Sequence, residues 1–117
     1  MTRAFDGFDW DIGNRAKCQK HGVSIAAIES LFSGPIAILP DPAHSIRETR
    51  LKAIGYTEQG RAVFLIFTER RRGARRLLRP ISARYMHVKE IKAYEKAIAQ
   101  LGQLPRRRGV RRRVRPV

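Results

Sequence analysis

The chain has 117 residues and a mass of 13.4 kDa. A domain of this size buries roughly two thirds of its unfolded surface, so there is room for one core and one site and none for a second domain. Its 25 Lys and Arg residues against 10 Asp and Glu give a formal net charge of +15. This balance indicates a polyanionic partner, most often nucleic acid, and disfavours an enzyme acting on acidic substrates.

The positive charge is concentrated in two segments. Residues 1–69 sum to zero, whereas 70–84 and 105–117 each hold seven arginines and no acidic residue. In 70–84 the arginines interleave with apolar residues, which favours a structured surface over a solvated charge run. We interpret 105–117 as a disordered Arg-rich tail and 1–104 as a single domain.

Cysteine content and hydropathy indicate the compartment. The single cysteine, Cys18, excludes a disulfide framework and a zinc site made of several thiolates. No apolar run approaches the roughly 18 residues of a membrane span, and the N-terminus lacks the pattern of a secretory signal. We therefore expect a protein of the reducing cytoplasm.

The first third of the chain predicts a short strand and two helices. Residues 5–10 alternate aromatic and acidic side chains, as a strand does, and Asp11 is placed to cap a helix over 12–21 that ends at Gly22. Ser24 caps a second helix. Its apolar residues share one face: Ile25, Ile28, Leu31 and Phe32.

The middle of the chain predicts an antiparallel meander. Four strands are expected, over residues 36–39, 47–57, 61–68 and 76–84. The third is rich in branched and aromatic residues and should be central in the sheet. A turn at Gly73 joins it to the fourth strand. Because Pro80 lacks a ladder donor, that last strand should lie at an edge or carry a bulge.

The end of the domain predicts one more helix. Residues 87–101 carry apolar side chains at helical spacing, so this helix is expected to pack a single stripe on the sheet. The predicted class is α+β: an antiparallel sheet meander with two N-terminal helices and one C-terminal helix packed on it.

The histidines are the side chains that titrate nearest to neutrality. His21 ends a helix and His87 begins one, so both have structural interpretations as well as chemical ones. His44 lies in the polar loop 41–45, where sites are often built. No metal-ligand spacing and no glycine-rich phosphate loop occurs, so we predict neither a metal nor a cofactor.

One chemistry fits arginines, carboxylates and a histidine acting together, namely cleavage of an RNA phosphodiester by its own 2′-hydroxyl. That reaction needs a base, an acid and fixed cations on the phosphate. Strand spacing of roughly 5 Å can bring residues of the meander onto one face. The residues concerned are Arg50, Arg61, Glu69, Arg79 and Arg84. The alternative for each is ordinary cross-strand salt bridging.

Over about residues 5–96 the sequence resembles the BrnT family, the toxins of bacterial type II toxin–antitoxin modules. The resemblance is carried by Phe8-Asp9-Trp10-Asp11, Lys20-His21-Gly22-Val23-Ser24, Glu48-x-Arg50, Gly60-Arg61 and Ile81-Ser82-Ala83-Arg84. It implies a RelE-like ribonuclease fold and metal-free RNA cleavage that halts translation in the bacterial cytoplasm. It also implies a BrnA-like antitoxin with a ribbon-helix-helix domain, which binds operator DNA together with the toxin.

The sequence departs from the family pattern at one place. Many members carry a lysine a few residues after the Trp-Asp pair, where this chain has Ile12-Gly13-Asn14. The role of that lysine is therefore missing here or is taken over by Arg15 or Lys17. The Arg-rich tail lies beyond the resemblance.

Our first hypothesis is a metal-independent endoribonuclease toxin. The predicted catalytic residues are His21, His44, Glu48, Arg50, Glu69 and Arg84. Further RNA phosphate contacts are predicted for Lys20, Arg61, Arg70 and Arg79. The alternative is a non-catalytic RNA-binding module that uses the Arg-rich loop and tail. A third possibility is a protein-binding domain whose arginines face an acidic antitoxin surface.

Overall fold

The computed structural model describes residues 5–44 and 47–100, with the backbone alone at His44. The Arg-rich segment 105–117 lies outside the described residues, and the single domain over 1–104 stays a prediction. The chain divides into two compact units, Met1–Met86 and His87–Val117. Among the described residues no helix is long and apolar enough to cross a membrane.

The first unit holds a five-stranded sheet with the order β1-β5-β4-β3-β2. Its strands are β1 (Gly7–Phe8), β2 (Ile36–Pro40), β3 (Leu51–Tyr56), β4 (Ala62–Arg72) and β5 (Arg75–Tyr85). Strands β2 to β5 form the predicted antiparallel meander, while β1 runs parallel to β5 and pairs Gly7 with Leu77. The parallel β1–β5 pairing was not foreseen.

The helices begin and end close to the predicted positions. They are α1 (Ile12–Gln19), α2 (Ile25–Ser30) and, in the second unit, α3 (Val88–Gln100). The Asp11 side chain accepts from the Asn14 N–H and the Ser24 side chain from the Ala27 N–H, so both predicted N-caps are confirmed. Two single turns of 3-10 helix occur at Leu31–Ser33 and Pro42–His44. The α+β class is thus confirmed.

Several predicted boundaries were wrong. The first helix stops at Gln19 rather than at residue 21, because Gly22, at φ +90°, turns its N–H back to the Gln19 carbonyl oxygen. Of the first strand only two residues join the ladder. Residues 47–50 lie outside β3, whereas β4 and β5 run further than predicted, to a two-residue turn at Gly73.

The core of the first unit lies between α1, α2 and one face of the sheet. Alternate residues of β4, namely Val63, Leu65 and Phe67, are fully buried and meet the helix residues Ile28 and Leu31. Phe67 also makes edge-to-face contacts with the rings of Phe5 and Phe32, at centroid distances of 5.9 and 6.2 Å. Such contacts stabilise aromatic pairs beyond the area that they bury.

Strand β5 carries the bulge that Pro80 predicted. Ile66 pairs with Ser82 and Phe67 with Pro80, which leaves Ile81 as the extra residue. The strand lies inside the sheet, between β1 and β4, so the edge alternative was wrong. The Pro80 carbonyl oxygen accepts a 2.9 Å hydrogen bond from Asn14 Nδ2, a buried side chain on α1. This bond joins the start of α1 to the bulge.

Replacing Asn14 by alanine should lower the free energy of unfolding by roughly 2–3 kcal/mol, because the buried Pro80 carbonyl loses its donor. The matched control is Gln19→Ala, which removes the other amide side chain of α1. That exposed group donates to the Arg15 carbonyl oxygen over 3.1 Å, and its loss should cost less than about 0.5 kcal/mol. Urea unfolding measures the free energy of unfolding of both variants. Equal small decreases would contradict a stabilising role of the hydrogen bond between Asn14 and Pro80.

Candidate active site

A cleft of about 860 Å³ opens between the start of α1, the bulge of β5 and the segment that precedes β3. Its charged wall is formed by Glu48, Arg50, Arg70, Arg79, Asp11 and Lys17. Its uncharged wall is formed by Ile12, Gly13, Asn14, Pro80 and Ile81. Four of the residues predicted from the sequence are therefore brought together: Glu48, Arg50, Arg70 and Arg79.

Two hydrogen bonds position the segment that carries Glu48 and Arg50. The buried Thr68 hydroxyl on β4 donates to the Thr49 carbonyl oxygen over 2.7 Å. The Asp41 N–H donates to the Arg50 carbonyl oxygen over 3.1 Å. These bonds satisfy the Thr49 and Arg50 carbonyl groups without the hydrogen-bond ladder that joins β3 to β4. Residues 47–50 can therefore lie outside the strand and still run beside β4.

Glu48 holds two guanidinium groups with one carboxylate. Arg70 Nη1 donates to its Oε1 over 2.8 Å, and Arg50 Nη2 lies 3.5 Å from its Oε2. The hydrogen bond from Arg70, with the positive charges of Arg70 and Arg50, lowers the pKa of Glu48 below its ordinary value of 4.5. Glu48 is therefore ionised at neutral pH.

Arg79 is held at the other side of the cleft by two carboxylates. Its Nη2 donates to Asp11 Oδ2 over 2.7 Å, and its Nη1 lies 3.4 Å from Asp9 Oδ2. Asp11 also caps α1, and the hydrogen bond from the Asn14 N–H, followed by that from Arg79, lowers the pKa of Asp11. The same carboxylates raise the pKa of Arg79. One aspartate thus links the start of a helix to an arginine of the sheet.

The charges suit the cleft to an anion with apolar parts. Its lining holds four cationic side chains against two carboxylates, next to the aliphatic side chains of Ile12 and Ile81. Arginine presents planar N–H pairs that match phosphate oxygens. Among residues 5–44 and 47–100, no three His, Cys, Asp or Glu side chains form a group that could hold a metal ion.

The other predicted site residues whose side chains are described do not line the cleft. Arg61 lies over the Tyr85 ring at 3.5 Å and Arg84 over the Phe64 ring at 4.9 Å. Lys20 and His21 are exposed in the turn after α1. His44 ends a 3-10 turn in the loop that leads to Glu48, and its side chain is not described. The chemical roles of these residues stay predictions.

Glu69 lies on the opposite face of the β4–β5 hairpin from Arg70. Its Oε2 accepts a 2.7 Å hydrogen bond from Arg76 Nε and lies 3.4 Å from Arg71 Nε. These partners, the Arg76 bond above all, lower the pKa of Glu69. The Arg76 contact is a cross-strand salt bridge of the kind that the sequence offered as the alternative to catalysis at this position.

Sequence reasoning missed the aspartates that anchor Arg79. Asp9 belongs to the aromatic-acidic alternation of residues 5–10, which predicts a strand, and Asp11 is predicted only as a helix cap. Of the two replacements proposed for the family lysine, Lys17 lines the cleft. The Arg15 guanidinium instead lies 5.8 Å from the centre of the Trp10 ring.

The fold and the cleft together define a small basic α+β protein whose cleft is lined mainly by cationic and apolar side chains. The family model of BrnT, the ribonuclease toxin of type II toxin–antitoxin systems, matches residues 10–90. The match covers well over half of the chain and every residue that lines the cleft, so the chain belongs to this family, as the sequence motifs indicated. No curated protein matches it.

The lowered pKa of Glu48 predicts how its ion pairs respond to acid. Because the folded-state pKa lies below 4.5, their stabilisation is fully present above pH 4.5 and is lost as the pH falls through the folded-state pKa. Glu48→Gln should therefore lower the Tm at pH 7, and the difference from the wild type should shrink toward about pH 3. Thermal unfolding across this range measures it.

The control for that experiment is Glu58→Gln, which changes an exposed carboxylate in the turn between β3 and β4. This variant should alter the Tm little at either pH. A Tm difference between Glu48→Gln and the wild type that stays constant from neutral to acidic pH would contradict stabilisation by the ion pairs of Glu48.

Proposed function

We propose that this chain is a metal-independent endoribonuclease that cuts cellular RNA and so inhibits translation. The carrying observation is the cleft in which Glu48 holds Arg50 and Arg70 side by side, within a chain of the ribonuclease toxin family. In the proposed step the 2′-hydroxyl oxygen of RNA attacks the adjacent phosphorus and the bond to the 5′-oxygen breaks. The products are a 2′,3′-cyclic phosphate and a 5′-hydroxyl.

The arginines stabilise the negative charge that builds on the phosphate in this step. Each guanidinium has five N–H donors, more than the contact with Glu48 uses. Since Glu48 fixes both groups before RNA arrives, little reorganisation is needed when the charge develops. We therefore assign transition-state stabilisation to Arg50 and Arg70, and binding of flanking phosphates to Arg79 and Lys17.

The carboxylates have another role than proton donation. The pKa values of Glu48 and Glu69 are both lowered, so neither is protonated at neutral pH and neither can protonate the leaving 5′-oxygen. Glu48 is instead a positioning residue for Arg50 and Arg70. We propose His44 for proton transfer, because it lies four residues before Glu48, which lines the cleft; His21 is the second candidate.

The ion pairs of the cleft also support the metal-independent form of the reaction. Its two carboxylates, Glu48 and Asp11, already bind arginines at 2.8 and 2.7 Å. A divalent cation would have to compete with these guanidinium groups for its oxygen ligands. The positive charge that a metal would bring to the phosphate is supplied by the arginines themselves.

Family membership supports a protein partner as well. A type II toxin is paired with an antitoxin, and we propose that this one is a BrnA-like ribbon-helix-helix protein. Operator DNA would be bound only by the complex of the two proteins. The ribonuclease family also favours catalysis over the non-catalytic RNA-binding module that the composition alone left open.

Purified protein should cleave RNA in the presence of excess chelator. Arg50→Ala should lower kcat by about 10²–10³, the usual cost of removing one preorganised donor to a developing oxyanion. Lys92→Ala, which removes one positive charge from the exposed side of α3, should keep the wild-type rate. Gel analysis of RNA ends gives both the rate and the cyclic-phosphate product.

His44→Ala tests the proton-transfer assignment in the same assay. It should lower kcat and remove the limb of the pH profile that titrates near the histidine range of about 6–7. Intact RNA after incubation with folded wild-type protein would overturn the proposed activity.

Expression of the chain alone in bacterial cells should arrest growth, and Arg50→Ala should relieve the arrest. Co-expression of the small ribbon-helix-helix protein from an adjacent gene should restore growth with the wild-type toxin, because a type II antitoxin neutralises its toxin by binding it. Plating efficiency and co-purification measure the two effects. Arrest by Arg50→Ala equal to that of the wild type would contradict an arginine-dependent toxic activity.

A further inference from the structure

Strands β4 and β5 continue beyond the rest of the meander as a ribbon, which β1 borders at Leu77 and Leu78. The pairing of β3 with β4 ends at Phe67, whereas β4 pairs with β5 as far as Arg72 and Arg75. The ribbon spans residues 68–79, and its arginines are Arg70, Arg71, Arg72, Arg75, Arg76 and Arg79. Two arginine pairs lie directly opposite each other: Arg71 with Arg76 and Arg72 with Arg75.

The arginines divide between the two faces of the ribbon. Alternate residues of a strand, and residues paired across an antiparallel ladder, share a face. Arg71 and Arg76 therefore lie on one face, together with Glu69, which binds both. The other face carries four arginines, which we call the arginine track: Arg79, Arg70, Arg72 and Arg75.

The arginine track continues the candidate active site. Arg70 and Arg79 line the cleft, and Arg72 follows Arg70 on the same strand at a spacing of about 6.7 Å. Asp9, of which only 11% of the side chain is exposed, connects the two parts, since its Oδ2 lies 3.3 Å from Arg72 Nη2 and 3.4 Å from Arg79 Nη1. Cationic side chains thus follow one another from the cleft to the end of the ribbon.

At the end of the track Arg72 and Arg75 face each other, and Asp9 forms an ion pair with Arg72 alone. Like charges directly opposite in a sheet are destabilising. Glu69 offsets this for Arg71 and Arg76, but among the described residues no carboxylate forms an ion pair with Arg75. The Arg75 guanidinium lies over Gly7, where a Cβ would come within 3.1 Å of its Nη2. Such electrostatic repulsion between facing arginines is expected at a site where an anionic ligand supplies the missing negative charge.

We propose that the arginine track binds the phosphate backbone of the RNA substrate on one side of the cleavage point. The proposal rests on the proposed function and extends it, because it gives the enzyme a preference for long RNA over short fragments. The contacts are made to phosphates, so they position the RNA without reading its sequence.

A nucleic acid fits this surface better than a protein partner does. The described residues include five exposed large apolar side chains, and none of them lies on the ribbon: Ile12, Ile38, Leu39, Tyr56 and Val88. Protein interfaces depend on such anchors at their centres, whereas backbone binding to nucleic acid depends on closely spaced cations. The ribbon offers only the cations.

The test compares two neighbouring arginines on opposite faces. Arg71 and Arg72 have nearly equal side-chain exposure, 66% and 62%, and each shares one carboxylate with a second arginine. Arg72→Ser and Arg71→Ser therefore remove the same charge and comparable ion pairs. Only Arg72→Ser removes a member of the arginine track, and circular dichroism checks that both variants stay folded.

Binding is measured with a single-stranded RNA of about 20 nucleotides whose 2′-hydroxyls are all methylated, so that it cannot be cut. The slope of log K against log salt should fall by about 0.7 for Arg72→Ser and by about 1.4 for the double variant Arg72→Ser/Arg75→Ser. It should stay unchanged for Arg71→Ser. If Arg71→Ser and Arg72→Ser change the salt slope equally, or if neither changes it, the proposal that the arginine track binds RNA is overturned.

Cleavage assays separate this proposal from the proposed function. Arg72→Ser should raise the KM for long RNA and leave kcat unchanged, and it should leave cleavage of a dinucleoside phosphate unaffected. If the wild type cuts no RNA, the proposed function fails. The salt slopes on methylated RNA still test whether the arginine track binds RNA. Loss of binding to poly-glutamate in Arg72→Ser, with unchanged RNA slopes, would identify a protein-binding surface and overturn the proposal.

Discussion

The hydrogen bond from Asn14 to the Pro80 carbonyl oxygen is the contact on which the cleft depends. Pro80 and the extra residue Ile81 interrupt the β5 ladder, so a buried carbonyl has to find its donor outside the sheet. Asn14 supplies that donor, and its second N–H bond, to the Asp9 carbonyl oxygen, ties down the chain that enters α1. The start of the helix is thereby fixed against the bulge, where the cleft opens.

The arginines are arranged around carboxylates in a repeated pattern. Each of three carboxylates contacts two guanidinium groups: Glu48 with Arg50 and Arg70, Glu69 with Arg71 and Arg76, and Asp9 with Arg72 and Arg79. Exposed ion pairs contribute only about 0–1 kcal/mol each to stability, so their main effect is to fix where the guanidinium groups lie. The Glu48 and Glu69 groups each keep one net positive charge, whereas in the Asp9 group Arg79 is also paired with Asp11.

The sequence predicted the elements better than the contacts between them. Asp11 and Ser24 revealed the helix starts because capping is local, and Pro80 revealed a disturbed strand because a missing N–H is local too. The parallel pairing of Gly7 with Leu77 links residues 70 positions apart and leaves no periodic signal in so short a strand. Residues 47–50 left β3 because of a bond from Thr68, which no local pattern indicates.

The same limit explains which site residues were found. Glu48, Arg50, Arg70 and Arg79 were singled out by residue type, and the fold gathers them; Glu69 was singled out by the same criterion, but strand alternation puts it on the other face from Arg70.

Charge summed along the chain suggested a neutral body followed by a basic segment. In the folded chain Asp9, Asp11, Glu48 and Glu69 form ion pairs with arginines of 70–79, so carboxylates of the neutral segment position guanidinium groups of the basic one. Among the described residues, this arrangement leaves positive charge in the cleft and along one face of the ribbon, where it would attract an anion.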